Sequence, residues 1–359
     1  MRPRRFLFIV QGEGRGHLTQ ALALRQLLGE RGDQVVHVLV GRAGRRTLPL
    51  YFSRRIDAPV SRFDSPFYVW DRENRSLRII RTVLSNLIRA GRYLEAARQI
   101  ALTVRRTRPD VIINFYDVVG GLYSLVYRPG IPIVCVGHQY LFLHPQFRFP
   151  AKHPLARVMA LWVTRLTALR AAKRLALSFY ALPDDPGQGL VVVPPLLRSE
   201  LFALPAPSNQ DFILIYLLNS GYVHDIVSWC ARPHYPFIHC FCESPDPDSG
   251  CDKVTFHKLD DLAFLKMMAS CRAVVTTAGF ESVCEACYLG KTVYAVPVRN
   301  HIDHLLNAHD LQHNAGLGLS GRHFDAAHLL DAASRFSADY QLFRKWVHRS
   351  REIVTRELN

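Results

Sequence analysis

Residues 5–10, RFLFIV, form an apolar run that stops at Gln11-Gly12-Glu13-Gly14-Arg15-Gly16-His17, after which Leu18, Ala21, Leu24 and Leu28 recur at helical spacing. This order of strand, glycine-rich turn and helix constrains the chain more than any other stretch. The helix closes at Gly29 to Gly32, and QVVHVLV (34–40) reads as a second strand, so the chain opens with a βαβ unit and a parallel sheet. DVIINFY (110–116) and IPIVCVG (131–137) continue the series. Between 183 and 210 the composition turns to Pro, Asp, Gly and Ser, with Pro194-Pro195 and Pro205-Ala206-Pro207, which marks a linker. A second series then begins, with FILIYLL (212–218) ending in Asn219-Ser220-Gly221, followed by PFIHCFC (236–242), VTFH (254–257), AVVTTAG (273–279) and TVYAVPV (292–298). Helices are expected at about 260–270, 281–289 and 302–314, and a final one at about 338–357.

The fold class that follows is α/β, with two Rossmann-like, doubly wound parallel-sheet domains facing an interdomain cleft. Residues 1–200 would form the first domain and 201–337 the second, while 338–359 would pack back on the first. A chain of 359 residues suits two cores of ordinary size. No stretch reaches the roughly 18 apolar residues of a spanning helix, and the start of the chain is too short for a signal peptide, so the expected location is the cytosol. Seven of the eight cysteines follow residue 229 without a regular framework, which reads as reduced thiols and small buried hydrophobes. Cys240 with Cys242, and Cys284 with Cys287, lack a second Cys/His pair at zinc-site spacing, and no metal site is expected.

The turn containing Gly14 and Gly16 can bring backbone N–H groups and the positive end of a helix up to a phosphate. It departs from the dinucleotide fingerprint, because the spacing is G-x-G-x-G and the second strand ends in Gly41-Arg42 instead of an acid. Arg42 leaves an NADP-binding alternative open. His17 sits where the turn becomes helix, a place that lowers a histidine's pKa and favours the neutral form a general base needs. Asp117, at the end of DVIINFY, lies on the same sheet edge and could orient that imidazole. A capping histidine and a turn-forming aspartate are the plainer readings.

Charge is unevenly divided: residues 1–200 carry 31 Lys+Arg against 13 Asp+Glu, and the remainder 14 against 17. Eight arginines and one acid, Glu95, lie between Arg78 and Arg108, and seven Lys+Arg and no acid lie between Arg148 and Arg174. Both stretches are amphipathic. In the second, Leu155, Met159, Trp162, Leu166 and Leu169 form an apolar stripe beside Lys152, Arg157, Arg165, Arg170, Lys173 and Arg174. A basic amphipathic segment with an interfacial Trp suits an anionic leaflet, each cation contributing about 1 kcal/mol near the surface. The alternative is an Arg-rich, solvated face. Nucleic acid is not expected as a partner, because neither stretch carries a stacking or groove-reading motif.

GEGRGHLTQALAL near the start, together with the segment from Val254 to Gly316, resembles the MurG-like GT-B glycosyltransferases. The resemblance is loose over the whole chain and close over the later segment. It implies an inverting, metal-independent glycosyltransferase that moves a hexosyl group from a nucleoside-diphosphate sugar, of which a UDP-sugar is the family preference, to a hydroxyl acceptor that can be lipid-linked. No cofactor is implied beyond the nucleotide-sugar co-substrate. By position, Thr277, Ala278, Gly279, Phe280 and Glu281 would cradle the diphosphate, Glu285 would take the ribose hydroxyls, and Phe256 and His257 would lie where main-chain groups read the base. Ser220 and Gly221 match a second diphosphate loop, and Asp303, His304 and Asn307 fall where the sugar is held, with His304 replacing the usual Gln. His17 and Asp117 match the base and its partner in related inverting enzymes. A nucleotide-sugar 2-epimerase or hydrolase of the same fold, and a non-enzymatic basic protein that binds membrane or nucleic acid, are the competing readings.

Overall fold

The computed structural model describes residues 2–42, 44, 47–217, 220–228, 236–243, 251–324 and 336–359. Its strands form two parallel sheets. The first contains β1 (Arg5–Val10), β2 (Gln34–Arg42), β3 (Val60–Asp64), β4 (Val111–Phe115), β5 (Ile133–Gly137), β6 (Lys173–Leu177) and β7 (Leu190–Val193), in the order β3-β2-β1-β4-β5-β6-β7. The second contains β8 (Phe212–Leu217), β9 (Phe237–Cys242), β10 (Val254–Lys258), β11 (Ala273–Thr276), β12 (Thr292–Ala295) and β13 (Leu319–Ser320), in the order β10-β9-β8-β11-β12-β13. The unbroken apolar runs of β1 and β4 are buried along almost their whole length, as strands covered by helices on both faces must be. In each sheet the order reverses beside the first strand, which opens a crevice at the strands' carboxyl ends, between β1 and β4 and between β8 and β11. Asn219, expected to follow the eighth strand, lies outside the described residues.

The helix Val118–Tyr127 lies hard against the helix Pro154–Thr167 because Gly121 carries no side chain. A Cβ on Gly121 would sit 1.9 Å from the Leu166 carbonyl oxygen. The expected last helix is two, Tyr340–His348 and Ser350–Glu357. They return to the first domain, where Trp346 Nε1 donates to Ser178 O at 3.0 Å and Lys173 Nζ bonds Glu357. One apolar cluster therefore runs from β1 through Phe280 and Val283 to Leu358. Cys135, Cys240, Cys242, Cys271, Cys284 and Cys287 are free and buried, whereas Cys251 is in a disulfide, which corrects the expectation of eight reduced thiols. Cys230 lies outside the described residues. No helix among the described residues is long and apolar enough to cross a membrane.

Candidate active site

The carboxyl ends of the two sheets face each other across a cleft of about 670 Å³. Two helices open into it, Gly16–Glu30 from the first domain and Phe280–Tyr288 from the second, and neither has a side-chain cap on its first-turn N–H groups. Their starts meet: a Cβ on Gly16 would be 3.5 Å from Glu281 Cγ. Uncapped helix N-termini beside glycine turns have backbone N–H groups free, the chemistry that suits an anion. Gly14, Gly16, Thr277, Gly279, Phe280 and Glu281 all line the cleft. Ala278 is held at φ 65°, the left-handed region where glycine is at ease, and its carbonyl accepts from Asn307 Nδ2 at 3.0 Å.

Behind this loop, Glu285 lies one helical turn further on and is buried. Arg198 grips it with two parallel bonds, Nε to Oε1 at 2.5 Å and Nη2 to Oε2 at 2.9 Å, and its third nitrogen, Nη1, lies 3.4 Å from Asp261 Oδ2. Desolvation opposes the charge on Arg198, but Glu285 beside it prevails and holds the guanidinium firmly protonated. Glu281 accepts from Gln20 Nε2 at 2.7 Å, and burial raises its carboxyl to about 8. Asp303 is likewise raised, to about 6, by burial against a hydrogen bond from Gln139. His304 stacks on His301 at 3.7 Å and is lowered to about 3 by burial. Glu281 Oε2, His304 Nδ1 and Asn307 Oδ1 are buried at the cleft without a partner among the described residues, and a polar ligand can satisfy all three.

His17 reaches the cleft as expected, stacked on Tyr116 with centroids 5.7 Å apart, and desolvation lowers it to about 4. Its expected partner does not meet it. Asp117 is the N-cap of the helix Val118–Tyr127, where Oδ1 accepts from Val119 N at 2.8 Å and Oδ2 from Ser65 Oγ at 2.7 Å. An Asp at the end of a strand and the start of a helix commits its acceptors to the orphan N–H groups there. His17 Nδ1 bonds Gln20 Oε1 instead, at 3.1 Å.

Two other expected pairs fall outside the lining of the cleft. Gly221, in the turn Ser220–Tyr222, is covered by the first domain's own chain: a Cβ there would be 2.3 Å from Glu73 O. Arg75 holds this cover in place through Asp225 at 2.7 Å and the Gly221 carbonyl at 2.5 Å. Phe256 packs into the second domain's apolar cluster, and His257 Nε2 is spent on His239 Nδ1 at 2.9 Å, so the next residues, Leu259 to Asp261, line the cleft instead.

Part of the first-domain lining is apolar, made by Ile79, Val83, Leu87, Met159, Val163 and Leu166. Outside the cleft, Ile80 and Ile88 of the helix Ile79–Ile88 are 77% and 85% exposed, and Leu155 and Trp162 of the helix Pro154–Thr167 are 69% and 64% exposed. Gln20, Gln139 and Arg198 were not singled out from the sequence. Gln20 could have been, since it stands three residues after His17 on one helix and therefore beside it; Arg198 follows the linker prolines with nothing local to mark it.

A family model described as glycosyl transferase family 1 matches residues 4–336. No curated protein matches the sequence. Among solved structures, the calicheamicin glycosyltransferase CalG4 superposes with a TM-score of 0.62 at 17% identity, covering 100% of this chain and 98% of that one. The glycosyltransferase of kitacinnamycin gives 0.61 at 15%, covering 99% and 100%. Arabidopsis thaliana UGT89C1, solved with quercetin, gives 0.62 at 12%, covering 99% and 100%. At these identities the structures speak for the two-domain GT-B fold, and the family match across nearly the whole length speaks for the chemistry: the chain belongs to glycosyl transferase family 1 and is a glycosyltransferase.

Proposed function

We propose that the protein moves a hexosyl group from a UDP-sugar to the hydroxyl of an amphiphilic, lipid-linked acceptor, with inversion and without a metal ion. The observation that carries this reading is the meeting of two uncapped helix N-termini at a cleft whose first-domain lining includes an apolar stretch. The diphosphate lies at the helix ends, the ribose hydroxyls reach Glu285, and the sugar takes up the unpaired atoms of His304 and Asn307. The acceptor enters between Val83, Leu87, Val163 and Leu166 with its hydroxyl at His17. The imidazole takes the hydroxyl proton as the oxygen attacks the anomeric carbon from the face opposite the diphosphate. The new C–O bond forms as the bond to phosphate breaks, and the electron pair leaves on a phosphate oxygen stabilised by fixed N–H groups. A structural neighbour, LpCGTa, was solved with UDP, in keeping with this choice of base.

The bare apolar faces beside the mouth, flanked by Arg81, Arg89, Arg92, Arg157 and Arg165, suit peripheral contact with the anionic face of the cell membrane, from which such an acceptor would be drawn. The MurG-like glycosyltransferases, which this chain resembles in sequence, commonly use lipid-linked acceptors. The test is a set of UDP-sugars incubated with a polyprenyl-linked or glycolipid acceptor in vesicles, with and without EDTA, and the anomeric configuration of the product read by NMR. An inverted product formed equally in EDTA supports the reading. A retained configuration, or abolition by EDTA, overturns that part of it.

A further inference from the structure

His17 has lost its expected partner, yet its ring is not free to choose a tautomer. Gln20 is 2% exposed and its amide makes two bonds, Nε2 to Glu281 Oε1 at 2.7 Å and Oε1 to His17 Nδ1 at 3.1 Å. The structure sets the amide NH2 toward Glu281 and the amide carbonyl toward His17. An amide carbonyl only accepts, so the atom facing it must carry hydrogen. The ring is neutral, having been lowered to about 4, and holds one N–H. That hydrogen is therefore on Nδ1, and the lone pair is on Nε2, which has no partner among the described residues.

We propose that Gln20 and Glu281 are the positioning residues of the base: Glu281 fixes the amide of Gln20, and Gln20 fixes the Nδ1–H form of His17. This rests on the reading of His17 as the base. The arrangement does the work expected of Asp117, but from across the cleft. Glu281 belongs to the second domain and stands at the start of the donor-side helix Phe280–Tyr288, while His17 and Gln20 lie on the first domain's opening helix. A base oriented through this chain has its lone pair aimed only while the two domains are together. Its readiness is thereby tied to the domain that holds the leaving group.

The full-length chain labelled with ¹⁵N-histidine tests this directly by long-range ¹H–¹⁵N correlation, with the His17 signals assigned from their loss in His17→Gln. The expected wild-type pattern is Nδ1–H. Gln20→Ala and Glu281→Ala each shift His17 toward the Nε2–H form, and Gln20→Glu, which still offers an acceptor to Nδ1, restores the wild-type pattern. In turnover, Gln20→Ala lowers kcat roughly 10²-fold while UDP affinity stays within about two-fold, because the residue acts on the base and not on donor binding. An Nε2–H pattern in the wild type, an Nδ1–H pattern that survives both alanine substitutions, or undiminished kcat in Gln20→Ala overturns the proposal. If the glycosyltransferase reading itself were wrong, the sign would be different: no UDP binding and no transfer, whatever the tautomer shows.

Discussion

Replacing Glu285 with Ala separates a ribose site from a merely structural carboxylate. In the proposed complex its oxygens accept two ribose hydroxyls, and hydrogen bonds to a charged acceptor contribute about 1.5–3 kcal/mol each. Arg198 already occupies both oxygens. A carboxylate has about four lone-pair positions, so ribose can bind beside the guanidinium instead of displacing it, at less favourable angles. The lower end of the range is therefore appropriate, about 3 kcal/mol in all, or roughly a hundredfold loss of UDP affinity. The substitution also strands a buried guanidinium, whose removal from a partner costs about 3–5 kcal/mol; Asp261, 3.4 Å away, keeps this toward the smaller figure.

The two effects part company in calorimetry. Inorganic pyrophosphate has no ribose, so its affinity is expected to be unchanged in Glu285→Ala at a temperature where the variant is folded, while UDP weakens about a hundredfold. Arg198→Met removes the same ion pair but leaves the carboxylate. It should lose similar stability and much less UDP affinity, about tenfold, through the loosened orientation of Glu285. Equal UDP binding by wild type and Glu285→Ala would refute the ribose assignment. An equal loss for pyrophosphate and UDP would show that the substitution had collapsed the phosphate loop, and the argument from ribose would fall with it.

Other consequences can be checked independently. Burial favours neutral His17 and places its pKa at about 4, so the acid limb of kcat/KM falls only as pH drops through about 4, and His17→Ala removes most turnover while sparing UDP binding; an acid limb near 6.5 would place the base in solvent. Gly121→Ala would force the Leu166 carbonyl away by at least about 1 Å, costing roughly 2–4 kcal/mol in a thermal melt and raising the acceptor KM more than the donor's, since Leu166 lines only the acceptor wall. Flotation with anionic vesicles should retain the wild type at low salt and lose it at high salt, and Ile80→Ser with Trp162→Ser should lose it at both; absence from the lipid fraction throughout would discard the membrane face.

Much of the architecture was legible because it follows from runs of apolar residues ended by glycine. RFLFIV and DVIINFY could be nothing but buried strands, and the turn after the first could only place a helix end at the sheet's edge. What escaped was shorter or more polar. β3 (VSRFD) has one fully buried residue, and β7 (LVVV) lies inside the stretch read as linker, a four-residue strand overshadowed by the prolines on either side. The loop from Thr277 to Phe280, proposed to hold the donor, was legible as a turn because its signal is in its own residues: small side chains and then a helix start. Ser220-Gly221 was not, because a similar loop in sequence is covered in space by Glu73 to Arg75, some 146 residues away along the chain.

The same reasoning explains why the histidine was found and its partner missed. An N-terminal glycine turn delivers His17 to the cleft by local geometry alone, and any chain with that turn would do the same. Which group orients the ring depends on where competing donors are, and both Asp117 oxygens are already taken, one by the Val119 N–H two residues on and the other by the Ser65 hydroxyl of a neighbouring segment. A short carboxylate that begins a helix satisfies the orphan N–H groups there first. The role is left to a side chain with longer reach on the same helix face, and its distant acceptor comes from the other domain. In such folds the residue that activates can be read from a motif, whereas the residue that aims it has to be sought where domains meet.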